Sequence, residues 1–147
     1  MRFVITVSTL GFLLLALTGA SPRTSSIELR IVGLKCAKGQ LMIGVYDQAN
    51  DFPDHDKTLK RYIFELEGKD CSSIKLKIPD LIYGKSYALA VYHDENSNYQ
   101  LDKNFLGIPL ERYGFSNNAR GTFGPPSFKE AAFELKSQVL KLNLELK

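Results

Sequence analysis

The sequence lacks an excess of either charge: 19 Lys and Arg stand against 16 Asp and Glu in 147 residues, a formal +3. That balance, with the cations Lys35 and Lys38, Lys57, Lys60 and Arg61, and Lys75 and Lys77 interleaved among acids or apolar positions, excludes a phosphate-tracking stripe and so a nucleic-acid partner. The chain also lacks a window of helical length with a 3.6-residue apolar stripe, apart from a turn or two near 58–62 and 128–132. No apolar run reaches the roughly 20 residues of a spanning helix. With 44% hydrophobic and 11% aromatic content, disorder as the main state is excluded.

Only one apolar run is long: the 15 residues from Phe3 to Leu17, preceded by Arg2 and followed by Thr18, Gly19 and Ala20 ahead of Ser21 and Pro22. This is the cationic, apolar and small-residue order of a secretory signal peptide, which predicts residues 1–20 as the signal and 21–147 as one soluble domain of charge +2 without a transmembrane segment. No cysteine sits at the small-residue site to take a lipid. A domain of this size buries about two-thirds of its unfolded surface. In an exported chain the only two cysteines, Cys36 and Cys71, read as a disulfide rather than a metal pair or a nucleophile. Closing that loop is worth roughly 4 kcal/mol in the chain-entropy model.

Period-2 alternation dominates the rest. Ile27, Leu29 and Ile31 share one face, as do Leu41, Ile43 and Val45 in the stretch 40–46; with Gly39 between, the pair predicts a hairpin. Residues 47–58 read as a loop and 60–66 as a short strand. Ile74, Leu76 and Ile78 alternate with Lys75 and Lys77, and Pro79 is expected to end that strand. The run 85–93, KSYALAVYH, is apolar on both faces and predicts a central strand. Leu140, Leu142, Leu144 and Leu146 alternate with polar residues at the C-terminus. The fold class is therefore all-β: an antiparallel β-sandwich of immunoglobulin-like or transthyretin-like type, about seven strands, with a small closed barrel as the alternative.

One segment breaks the rhythm, the long connection 94–128, where a function would sit. The run YALAVYHDENSNYQLDKNFLGIPLERYGFSNNARGTFGPPSFKEAAFEL, with its ordered set HDEN, LD, NFLGIP, YGFSNNARG and GPPSF, resembles the bacterial domain-of-unknown-function family 2141. That resemblance covers nearly the whole mature chain and implies an exported β-sandwich without an assigned activity. The family pattern at the acidic loop is closer to DENGNGKLD, whereas Ser97 and Tyr99 occupy the glycine positions here. A tight left-handed turn is harder for tyrosine than for glycine.

Three constellations carry chemistry. Asp94, Asn96, Asn98 and Asp102 place side-chain oxygens at positions 1, 3, 5 and 9 of a loop, with the carbonyl of Gln100 at position 7. This set suits Ca²⁺, which takes about six to eight oxygens, and Glu95 or Glu111 would add a carboxylate by folding in. Phe105 at position 12 excludes an EF-hand, and Asx turns without an ion explain the same residues. Next, Tyr113, Phe115, Asn117, Asn118, Arg120 and Phe123 combine aromatic faces, amides and a guanidinium that can stack on a glycan or peptide. The same residues, with Phe128, can equally pack on themselves as an Ω-loop. Third, His93 beside Asp94 could serve a hydrolase or metalloenzyme if Ser116 or Ser127 reached it. The competing reading has His93 closing a strand. His55, with Asp54 and Asp56, reads as a solvated loop. The expectation is thus a non-catalytic binding or structural module of the periplasm or the cell exterior, facing an envelope protein, peptide or glycan, with calcium as the one candidate cofactor.

Overall fold

The computed structural model describes residues 21–35 and 38–147. The expected signal segment 1–20 and Cys36, one half of the expected bridge, lie outside the described residues. Among the described residues eight strands form two sheets, where about seven strands were expected. In the smaller sheet, β1 (Thr24–Val32) lies between β4 (Ile74–Ile82) and β8 (Val139–Glu145). In the larger, β3 (Lys60–Glu65), β2 (Gln40–Tyr46), β5 (Ser86–Asp94) and β6 (Tyr113–Phe115) lie in that order, with β7 (Phe133–Glu134) also beside β5. The β1–β8 pair is parallel, so the fold is not wholly antiparallel.

The alternating positions do what their period demands. Ile27, Leu29 and Ile31 of β1 face Leu41, Ile43 and Val45 of β2 and Tyr87, Leu89 and Val91 of β5 across one buried core. The expected hairpin between β1 and β2 is corrected here: the two strands occupy opposite sheets and look at the same core from either side. Alternation marks which face is apolar, not which strand is the neighbour. The second correction concerns Pro79, which does not end β4. The strand runs through it by a bulge in which Pro79 and Asp80 oppose Ser26, with Asp80 at φ 56°. β4 is an edge strand, so the missing N–H breaks no ladder.

The predicted central strand is central. β5 is flanked by β2 on one side and by β6 and β7 on the other, and it is buried on both faces. Its outward residue Ala88 packs in a second apolar cluster with Phe115 and Ala131, the latter at the end of the short helix α1 (Phe128–Ala131). Phe52 seals that cluster, meeting Tyr46 at 5.2 Å, Phe115 at 5.6 Å and Phe128 at 5.9 Å, all edge to face. The long connection is thus not without regular structure: it contributes β6 and a bridge between Lys103 and Pro109. β6 also joins the sheets at one edge, where Tyr113 and Lys147 exchange backbone hydrogen bonds of 3.1 and 3.0 Å.

Gly39 shows how tightly the loop base fits. It sits at φ +72°, and a Cβ there would lie 2.1 Å from the carbonyl oxygen of Asp94. Gly39→Ala is therefore expected to cost at least about 2 kcal/mol and lower the thermal midpoint by roughly 5–10 °C. A midpoint within a degree or two of the parent would contradict this packing.

Candidate functional site

The acidic loop grows directly out of β5. Asp94, its last residue, is fully buried and satisfies both carboxylate oxygens with N–H donors: Gln40 Nε2 at 2.7 Å, Tyr99 N at 2.8 Å and Asn98 N at 3.1 Å. To bring those amides round, Ser97 and Tyr99 take left-handed backbone at φ 59° and 64°, so the turn forms without the glycines of the family pattern. Asp102 accepts from the amides of Asn96 at 2.7 Å and Asn98 at 3.0 Å, and Asn98 Oδ1 accepts from Gln100 N at 2.8 Å. Glu111 folds in as well, accepting from the backbone of Glu95 and Asp102. Burial pushes its carboxyl above the usual range, against those two N–H bonds.

The five residues proposed as calcium ligands are therefore brought together, but the side-chain oxygens of Asp94, Asn96, Asn98 and Asp102 already accept N–H groups of the loop, and Asp94 that of Gln40 in β2 as well. Among the described residues no group of three or more His, Cys, Asp or Glu side chains could hold a metal ion.

His93 is sealed. It is fully buried, and its Nε2 donates to the carbonyl of Lys38 at 2.7 Å. Ser116 is buried too, accepting from Leu89 N at 2.8 Å and donating to Ala131 O at 2.6 Å. Ser127 caps α1 in a reciprocal pair with Glu130. A triad of these groups would require an imidazole open to a substrate; His93 is buried, and Ser127, although exposed, is engaged with Glu130 rather than with His93.

The aromatic and amide set divides. Tyr113 and Phe115 line a cleft on the outer face of the larger sheet. Asn117 instead donates to the carbonyls of Glu130 and Ala132, and Asn118 accepts from Glu145 N. Arg120 donates to the carbonyls of Tyr113 and Glu145 and stacks 5.7 Å from the Tyr113 ring. Phe123 is wholly exposed.

The cleft encloses about 360 Å³, within the size range of small-ligand sites. Its floor is Tyr46, Ala90 and Tyr92 with the two β6 aromatics; its walls are Pro53 and His55 on one side and Leu101, Pro109 and Pro125 on the others. The polar groups are few and convergent. His55 Nε2 and the Tyr92 hydroxyl share a hydrogen bond of 3.2 Å, and Tyr46 donates to the carbonyl of Pro53 at 3.3 Å. Burial raises both tyrosines, and burial followed by the nearby Arg61 lowers His55, so all three are neutral at pH 7.

Sequence reasoning missed His55. It belongs with Tyr92, 37 positions away, and nothing in the spacing joins them. The surviving signal was the unusual outward column Ala88, Ala90 and Tyr92, a two-faced strand that needs a cover.

The fold and cleft together define a small two-sheet β-domain with an apolar ligand-sized recess. More specifically, the family model described as an uncharacterized protein conserved in bacteria (DUF2141) matches residues 29–143, and the chain belongs to that family. None of the curated proteins and none of the solved structures matches it. No described helix is long and apolar enough to cross a membrane.

Two outcomes follow from these contacts. Because the loop's carboxylates are already satisfied, millimolar Ca²⁺ after EDTA is expected to leave the thermal midpoint within about a degree. A rise of several degrees that disappears in Asp102→Ala would make the loop a metal site. The His55 imidazole is expected to titrate below its ordinary 6.5 by NMR, and Arg61→Ala to move it part of the way back up. Since protonation is disfavoured in the folded state, the stability tied to this group is present above about 6.5 and lost as the pH falls below it.

Proposed function

We propose that the chain is an exported, non-catalytic binding module of immunoglobulin-like or transthyretin-like sandwich type, acting in the periplasm or outside the cell. Its ligand is a small, mainly apolar molecule or peptide side chain seated in the cleft over β5. The N-terminal charge and hydropathy order supports export. The observation that carries the binding reading is the cleft itself: an aromatic floor with a neutral imidazole and the Tyr46 and Tyr92 hydroxyls, and Asp54 and Lys103 also in its lining, the mix of apolar surface and a few polar anchors that small-molecule sites use.

The test uses N-phenyl-1-naphthylamine, an apolar aromatic probe with one N–H. Saturable binding at one site per chain is expected, weakened about tenfold by Ala90→Leu, which fills the floor, and roughly fivefold by Tyr92→Phe, which removes one hydrogen bond. Binding that neither substitution alters would reject the cleft as the site.

A further inference from the structure

The rim of the cleft carries an apolar cluster that the cleft does not use. Phe105 is 94% exposed, Leu106 68%, Leu110 65% and Ile108 55%, and Phe123 stands fully exposed on the loop that supplies Gly124 and Pro125 to the same rim. Single exposed hydrophobics need no explanation, but five large ones on two loops bordering one opening do. They project from a turn rather than lining a groove.

That turn is built rigidly and inwardly satisfied. Asn104 Oδ1 accepts from the backbone of Leu106 at 2.9 Å and Ile108 at 3.0 Å. The N–H groups of Asn104, Gly107 and Leu110 donate to the carbonyls of Ile108, Asn104 and Asp102, and Pro109 has none to satisfy. With the N–H groups of Asn104, Leu106, Gly107, Ile108 and Leu110 paired within the turn, most of its backbone donors lose little on leaving water, which eases entry into the interfacial layer of a lipid phase.

Charge points the same way. No acid occurs from 103 to 110, and Glu111 is buried with both oxygens bonded. Lys103, Arg112 and Arg120 flank the cluster in sequence. Arg112 and Arg120 donate only to carbonyls, and among the described residues none of the three has a carboxylate within 4.0 Å. Uncompensated cations beside projecting apolar side chains match a surface that is apolar inside and anionic at its face.

We propose that this rim docks the protein on an anionic lipid bilayer. Phe105, Leu106, Ile108, Leu110 and Phe123 enter the interfacial layer, while Lys103, Arg112 and Arg120 meet headgroup phosphates. This does not rest on the cleft's ligand, which lies beneath the rim.

The test is sedimentation of the purified protein with vesicles of phosphatidylethanolamine and phosphatidylglycerol, and with vesicles of phosphatidylcholine alone. Binding to the anionic vesicles is expected, with Phe105→Ser/Leu106→Ser weakening it more than tenfold and Lys103→Glu roughly twentyfold, at an unchanged thermal midpoint. Ala90→Leu leaves it unaltered, so the two readings fail separately. The proposal is overturned if the protein does not sediment with anionic vesicles, or if Phe105→Ser/Leu106→Ser sediments as the parent does. It is equally overturned if sedimentation velocity shows lipid-free self-association that this variant abolishes, which would assign the cluster to a second copy of the chain.

Discussion

β5 must be covered twice, and most of the structure answers that requirement. Its inner side chains, Tyr87, Leu89 and Val91, join the core shared with the smaller sheet. Its outer column of Ala88, Ala90 and Tyr92 would be an exposed apolar stripe without a second layer. Among the described residues no third sheet supplies one, and the chain uses its own loops: Phe52 and His55 from one connection, and residues 101–128 from another. A loop layer cannot pack as closely as a sheet, because its backbone must keep its polar groups paired while it turns. The second cluster covers Ala88, and the gap the layer leaves over Ala90 is the cleft.

Asp94 fixes that layer at its root. A carboxylate withdrawn from water is costly unless several donors compensate, and here Gln40 of the neighbouring strand and two loop amides do so. The left-handed residues Ser97 and Tyr99 are held by the same contacts, which is how a tyrosine comes to occupy a conformation that favours glycine. Glu111 performs the matching task seventeen residues of chain later, before β6 begins, by holding Glu95 and Asp102. The loop is therefore ordered by its own hydrogen bonds at both ends.

Much of this was legible in the sequence, and the part that was not shares one cause. Strict alternation located β1, β2, β4 and β8, because a strand with one apolar face cannot hide its period, and β5 was marked instead by a run apolar on both faces. Alternation is blind to partners, so the β1–β2 hairpin was a wrong inference from a right observation, and the parallel β1–β8 pair left no local trace. Pro79 failed as a stop signal because an edge strand with a bulge tolerates it. Among the candidate site residues, Tyr113 and Phe115 do reach the cleft, whereas Asn117 and Asn118 are spent on backbone carbonyls and amides. A polar side chain in a loop reads the same whether it faces a ligand or the chain itself, and only the fold separates the two.

The same separation bears on the chemistry. Of the groups that could act on a substrate, His93 and Ser116 are each bonded across to another segment, to the carbonyls of Lys38 and Ala131, and Ser127 caps its own helix through Glu130. His55 is half-buried and Tyr92 buried, and burial favours the neutral form of both, so the recess presents uncharged polar groups there. A neutral imidazole and a neutral phenol in an aromatic recess offer directional hydrogen bonds at low desolvation cost. Such a pair suits the ligand-holding role proposed above, and the recess exists because the loop layer that covers β5 covers it incompletely.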